Sequence, residues 1–186
     1  MLLPILIATL SIGLIEGLDP YKGLLFSYYF HAFNKIRESY LIPILTALTY
    51  YLVGTLAVLT INVNYNGLTG TLIASLLITH ILIKILMGKI LHYPGNMRPR
   101  IINVIVWSLV NSIIQMNMIV LLALSLFSKL NLVLIILTAI ISRESIFLIS
   151  IKYNRKILLT LTNYNFDYFY SIVIAFLCVV IILPLL

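Results

Sequence analysis

The sequence predicts an all-α integral membrane protein whose chain crosses the bilayer six times. Of its 186 residues, 62% are hydrophobic and only 9% are charged, and the mean hydropathy is +1.15. Soluble domains are about half apolar and need a polar surface, so this composition excludes a soluble globular domain and a disordered chain. A disulfide scaffold is also excluded, because Cys178 is the sole cysteine.

Apolar stretches of spanning length recur along the chain. The first runs from about Leu2 to Phe33 and is interrupted near Asp19-Pro20, and the others are roughly Leu41–Ile61, Thr71–Leu91, Ile101–Phe127, Leu132–Ile151 and Phe166–Leu186. Short connectors rich in glycine, proline and asparagine separate them at Asn62–Gly70 and His92–Arg100, and a basic, then asparagine-rich connector spans Lys152–Asn165. All of these stretches belong to one transmembrane domain, 1–186.

Basic residues orient the predicted spans, because cytoplasmic loops collect lysine and arginine. The odd-numbered connectors hold Lys35, Arg37, Lys89, Arg98, Arg100, Lys152, Arg155 and Lys156, whereas the even-numbered connectors hold only Lys129. We therefore expect a multi-pass protein of the cell membrane with basic loops in the cytoplasm and both termini outside. The net charge of +7 is explained by this topology, so no nucleic-acid partner is expected. The start of the chain lacks basic residues, so no cleaved signal peptide is expected.

The proline-rich connector divides the six spans into two halves, 1–91 and 101–186. Because each half has an odd number of spans, the second half is inverted relative to the first. Inverted-topology halves build many transporters, and their binding sites lie between the halves. The count of spans therefore favours a transporter architecture.

The first span carries two acidic residues at membrane depth. Glu16 and Asp19 are three residues apart and share a helix face. Pro20 cannot donate the hydrogen bond that a helix interior needs, so it frees backbone carbonyls in the same turn. Two carboxylates beside broken backbone predict a cation-binding site. In the alternative interpretation the helix stops at Leu18, the acids are solvated at its end, and residues 21–33 form a separate interfacial piece.

Two further spans carry charged residues, which are costly in lipid and are typical of functional sites. His80 and Lys84 share one face of the third span, although His80 could instead be a packed residue and Lys84 could extend to the interface. Arg143 lies near the middle of the fifth span. Its neighbour Glu144 points about 100° away, so a carboxylate of the first span is the expected counter-ion. The alternative is a buried ion pair that only fixes packing.

The fourth span has a polar stripe that includes Asn111 and Gln115, four residues apart. In an inverted pair of halves this span is the counterpart of the first. These amides are therefore predicted to complete the acidic site with neutral oxygen ligands. The alternative is a role as hydrogen-bonding contacts between helices.

The stretch GLIEGLDPYKG, residues 13–23, resembles the first-helix signature G-L-x-H-A-L-[ED]-P-x-H-G of nickel/cobalt efflux proteins in the lysine-exporter (LysE) superfamily. The matching positions are Gly13, Leu14, Leu18, Asp19, Pro20 and Gly23. The resemblance implies six spans, a 3+3 inverted repeat and transport. It also implies that Asp19 is a metal ligand. The two motif histidines, which bind the metal in the family, fall on Glu16 and Lys22, so Asp19 alone carries over from the motif as a ligand, and Lys22 could serve as an internal counter-ion. Glu16 is expected as a metal ligand from its pairing with Asp19.

These observations predict a small secondary transporter or exporter, of a cation or metal ion, embedded in the lipid bilayer. No P-loop and no catalytic set are recognisable, so neither an ATPase nor another enzyme is expected, and no cofactor is expected. The alternative is a non-transporting membrane subunit of a larger complex. A haem carrier using His31, His80 or His92 is a third option. A homo-oligomer is left open.

Overall fold

The computed structural model describes residues 2–60, 67–87, 100–114, 117–152 and 156–182. Within these ranges every regular element is helical, which confirms the all-α prediction. The helices are α1 (Leu2–Leu18), α2 (Leu24–Ala32), α3 (Ile36–Thr60), α4 (Gly67–Met87), α5 (Ile101–Ile114), α6 (Asn117–Ser125), α7 (Leu130–Lys152), α8 (Lys156–Thr162) and α9 (Phe166–Ile182). By length and composition, two of the described helices, α3 and α7, could cross a membrane.

The predicted interruption of the first span is confirmed. Helix α1 ends at Leu18, and a short 3-10 turn, Pro20–Lys22, follows it. The Asp19 side chain begins this turn by accepting a hydrogen bond of 3.0 Å from the Tyr21 backbone N–H. Gly23 then reverses the chain with φ +143°, a backbone conformation that side-chain-bearing residues rarely adopt, and α2 starts at the next residue. The break is therefore built from a cap, a proline and a glycine in sequence.

The core lies among α1, α3, α4, α6, α7 and α9, each of which contributes buried apolar side chains to one cluster. Helix α1 packs mainly against α7 and α9, α3 packs against α2, α5, α6 and α7, and α4 packs against α9. A second cluster joins α2, α3 and α5 and consists of Phe26, Phe30, Ile42, Val104 and Trp107.

This packing differs from the predicted one, in which the first span lies beside the fourth. Two glycines of α1, Gly13 and Gly17, explain the difference. A Cβ atom added at Gly13 would lie 2.8 Å from the Ile135 carbonyl oxygen, and one at Gly17 would lie 2.8 Å from the Ala139 carbonyl oxygen. The absence of these side chains lets the backbones of α1 and α7 approach closely. The fifth span is therefore a main neighbour of the first, whereas α5 packs mainly against α3.

Several boundaries also differ from the predicted ones. Helix α3 begins at Ile36 and includes Pro43, and α4 begins at Gly67, inside the predicted second connector. The predicted connector Lys152–Asn165 contains the short helix α8. Most of the proline-rich connector lies outside the described residues, as do positions 61–66.

Candidate functional site

Four charged side chains are buried where α1 ends beside α3, α7 and α9. Glu16 and Arg143 are 0% exposed, Lys22 is 3% exposed and Asp19 is 6% exposed. Although α1 does end at Leu18, the acids are therefore not solvated at its end, as the alternative interpretation required. Because isolated charges are costly to bury, groups of this kind must compensate one another. Their formal charges sum to zero.

The ammonium group of Lys22 occupies the centre of this buried cluster. Its Nζ atom lies 2.5 Å from Glu16 Oε1 and 3.9 Å from Asp19 Oδ2. The same atom lies 5.0 Å from the centroid of the Tyr170 ring and 5.6 Å from that of Tyr50. Both distances are within the range of cation–π attraction. Two carboxylates and two aromatic faces thus form an ammonium-binding site that is filled by a lysine of the same chain.

The broken helix explains how Lys22 reaches this position. In a continuous helix, Lys22 would lie about 1.7 turns beyond Glu16, because the two are six residues apart. The two side chains would then lie on different faces of the helix and would not meet. The 3-10 turn after Leu18 redirects the chain, so the lysine side chain returns to the end of α1. The same turn leaves the Asp19 carboxylate beside the ammonium group, while its other oxygen accepts the Tyr21 N–H.

Arg143 binds neutral oxygens rather than a carboxylate. Its Nη1 atom donates to Thr46 Oγ1 at 3.1 Å, and Nη2 donates to the Glu16 backbone carbonyl at 3.3 Å. Among the described residues no carboxylate oxygen lies within 4.0 Å of the guanidinium group, so the expected ion pair with Glu16 or Asp19 is not formed. The cause is the helix end: the last carbonyls of α1 have no intrahelical donor and carry partial negative charge, which attracts the cation.

The cluster retains unused hydrogen-bonding capacity. In the part of the chain that the structure describes, Glu16 Oε2, Arg143 Nε and the Tyr51 hydroxyl are buried and have no hydrogen-bond partner. Tyr51 also lies within electrostatic range of both Glu16 and Arg143. A free acceptor, a free donor and a free hydroxyl together can bind a proton, water or another small polar species.

The geometry does not favour the predicted metal site at Glu16 and Asp19. A Lys22 ammonium group lies against both carboxylates, where a metal ion would have to bind. The described residues also contain no group of three or more histidine, cysteine or acidic side chains that could hold a metal ion. Hard cations such as Ca²⁺ and Mg²⁺ take about six or more oxygen ligands, and two carboxylates shared with an ammonium group do not supply them.

The other predicted charged residues have different positions. His80 is buried on α4, and its ring centroid lies 6.1 Å from that of Tyr170, so it borders the cluster through that tyrosine. The Lys84 side chain lies outside the described residues. Glu144 is half-buried on α7, and it forms no hydrogen bond or ion pair with residues that the structure describes. The structure therefore separates Glu144 from the Arg143 site.

The polar stripe of the fourth span is only partly described. Asn111 is buried on α5, and Gln115 lies outside the described residues, so its predicted role stays a prediction. Trp107, one turn before Asn111, packs edge-to-face on Phe26 of α2 with ring centroids 4.8 Å apart. Helix α5 thus faces α2 and α3, whereas the acids are carried by the end of α1.

Sequence reasoning did not assign Thr46 or the three tyrosines to the site. Thr46 and Tyr50 are four residues apart, so they share a face of α3, and this spacing was the available signal. No comparable signal marks Tyr170, because it lies in the aromatic-rich start of α9. Its approach to Lys22 depends on how α9 packs against α1.

No protein-family model, no curated protein and no solved structure matches this chain. The resemblance to the LysE superfamily stays a prediction and rests on residues 13–23. One detail of the geometry bears on it. Glu16 and Lys22 occupy the two motif positions that are histidines in the nickel/cobalt efflux signature, and here these two residues form an ion pair. This chain therefore has a salt bridge at the two positions where the signature has neutral metal ligands.

Proposed function

We propose that this protein is a small secondary transporter or exporter of a cation, and that the carboxylates of Glu16 and Asp19 are its exchange site. The observation that carries the proposal is the Lys22 ammonium group, buried against both carboxylates and between two tyrosine rings. A site that already holds one cation inside the bundle has the chemistry to hold another. A purely structural role would be served as well or better by apolar residues.

The transport step would be an exchange on Glu16. When a proton or a cation binds this carboxylate, Lys22 loses its closest partner and retains only the longer contact to Asp19. Lys22 is the last residue of the Pro20–Lys22 turn and is followed by Gly23, so a change in its position would be taken up in the bend between α1 and α2. The cycle would use an ion gradient and no ATP.

The proposal includes six membrane spans, formed by α1, α3, α4, α5 together with α6, α7 and α9. Helices α3 and α7 support it directly by their length and composition. Helix α1 has 17 residues and a length of about 25 Å, and the chain continues beyond it into the bend and α2. With three spans in each half, the halves would be inverted and would rock around the buried cluster.

Cysteine labelling will test this topology. In a Cys178→Ser background, a cysteine at position 66 should react with a membrane-impermeant reagent added outside intact cells. A cysteine at position 98 should react only after the membrane is opened, because basic connectors face the cytoplasm. Labelling of position 98 from outside, or of position 66 only after opening, would contradict the proposed topology.

Flux in proteoliposomes with an imposed pH gradient will test the exchange site. We expect Glu16→Gln and Asp19→Asn each to lower the initial rate at least about tenfold, equivalent to ~1.4 kcal/mol on the barrier. The matched control is Glu38→Gln, because Glu38 forms a partly exposed ion pair with Lys35 at 3.8 Å and lies at the start of α3. Wild-type rates in both acid variants would show that these acids are structural.

A groove on the outer surface of the bundle favours the second candidate, a non-transporting membrane subunit. It lies between α1 and α7 and has a volume of about 490 Å³. Its lining consists of Leu10, Ser11, Leu14, Leu18, Thr138, Ile141, Ser142, Ser145 and Ile146. A mainly apolar groove with scattered hydroxyls is typical of surfaces where another membrane helix packs. A wild type that moves no divalent metal, monovalent cation or basic amino acid would favour this candidate over transport.

A further inference from the structure

The hydroxyl of Thr55 differs in its hydrogen bonding from those of Thr46 and Thr49 on the same helix, α3. Thr46 and Thr49 each donate their hydroxyl to a carbonyl of the preceding turn, at 2.8 Å in both cases. This local bond is how a threonine normally satisfies its hydroxyl within an apolar helix. In the described structure, the Thr55 hydroxyl makes no such bond and has no other hydrogen-bond partner, although its oxygen is buried.

Tyr51 stands one turn before Thr55 on the same helix and shares this property. Its hydroxyl is buried and has no hydrogen-bond partner in the described residues, and the residue is 2% exposed. Tyr51 is also close enough to Glu16 for electrostatic interaction, and Oε2 of that carboxylate has no partner either. Tyr51 and Thr55 share a face of α3, and Thr55 is the one nearer to Thr60, where the helix ends.

Unsatisfied hydroxyls of this kind are unfavourable in an apolar bundle. A buried donor or acceptor without a partner loses the hydrogen bond that it would form in water, and lipid offers no replacement. Phenylalanine or valine of nearly the same shape would avoid the cost. Buried water is the usual partner of such groups, and a water molecule needs two to four polar neighbours. Successive oxygens along one helix face provide neighbours of this type.

We infer that Glu16 Oε2 and the hydroxyls of Tyr51 and Thr55 line a file of water molecules joining the buried cluster to the Thr60 end of α3, and that protons reach Glu16 along it. The inference rests on the proposed function and deepens it, because it identifies the proton as the coupling ion. In each transfer a proton passes from the adjacent water to the Glu16 carboxylate, which becomes neutral. Each water regains a proton from the next molecule in the file, and the last molecule regains one from a hydronium ion of the solvent at the Thr60 end. Lys22 then loses its ionised partner.

Reaction of a cysteine with silver ion will test for the water file without requiring transport. Silver ion is small, water-soluble and thiol-reactive, and its reaction is read as protection from maleimide after unfolding. In a Cys178→Ser background, Thr55→Cys should be protected at least about tenfold faster than Leu56→Cys, because apolar surroundings exclude hydrated ions. Leu56 is the matched control, since it lies at the same depth but is 54% exposed on the outer surface of the bundle. Equal rates at the two positions would overturn the water file.

Proton uptake by proteoliposomes will test the role of the file. Tyr51→Phe removes the hydroxyl and Thr55→Val replaces it with a methyl group, and each should slow uptake under a pH gradient about tenfold or more. Thr49→Val is the control, because the Thr49 hydroxyl donates to its own helix at Leu45. Unchanged uptake in both hydroxyl variants would overturn the proton route. Selective silver reaction in a protein that transports nothing would retain the water file and refute the proposed function. Transport without selective silver reaction would refute the water file and retain the proposed function.

Discussion

Replacing Arg143 with leucine is expected to destabilise the protein by about 3–5 kcal/mol, because removal of one member of a buried charge group leaves the others uncompensated. The variant would change the formal charge of the cluster from zero to −1. It would also remove the donors that Thr46 Oγ1 and the Glu16 carbonyl now bind at 3.1 and 3.3 Å. Both groups are buried, so solvent would not replace these hydrogen bonds.

Chemical unfolding of the purified protein in detergent will measure this effect. The double variant Arg143→Leu/Glu16→Gln should be more stable than Arg143→Leu, because its remaining Asp19 and Lys22 are neutral as a pair. Arg37→Leu is the control: Arg37 is exposed at the start of α3, so its removal should change the unfolding free energy by no more than about 0.5 kcal/mol. If Arg143→Leu is no less stable than Arg37→Leu, the charge compensation described for the cluster is wrong.

The local features of the site could be predicted from the sequence. The run from Gly13 to Gly23 contains the chemistry of the break: an acid that can cap a turn, a proline that cannot continue a helix, and a glycine that can reverse the chain. Arg143 is conspicuous because an arginine within an apolar stretch must be buried or paired. These conclusions depend on neighbours in the chain, and the structure agrees with the break and with the burial of Arg143.

The arrangement of the helices could not be predicted in the same way. Helical periodicity shows which residues share a face, but an apolar helix in an apolar bundle has no polar side to reveal which neighbour that face contacts. An expected symmetry between the halves places the fourth span beside the first, whereas the main neighbours of α1 are α7 and α9. The direction of Lys22 depends on backbone angles at Pro20 and Gly23, which no spacing rule specifies.

Replacing Gly17 with alanine is expected to destabilise the protein by about 1–3 kcal/mol, the usual cost of adding a group to a fully packed interface. The new Cβ atom would lie 2.8 Å from the Ala139 carbonyl oxygen and would also overlap the Ser142 side chain. Real Cβ atoms do not approach oxygen this closely, so α1 must move away from α7. Because Arg143 of α7 donates to the carbonyl of Glu16, the residue before Gly17, this movement should weaken the charge cluster as well.

A compensating substitution will separate the two clashes at Gly17. Ser142→Gly removes the side chain that the new methyl group would overlap, but it leaves the Ala139 carbonyl in place. Gly17→Ala/Ser142→Gly should therefore recover only part of the unfolding free energy lost in Gly17→Ala, after subtraction of the effect of Ser142→Gly alone. Complete recovery would show that the strain in Gly17→Ala comes from the clash with the Ser142 side chain alone. A Gly17→Ala variant as stable as wild type would contradict the close approach of the two backbones, which positions Glu16 and Arg143 for their shared hydrogen bond.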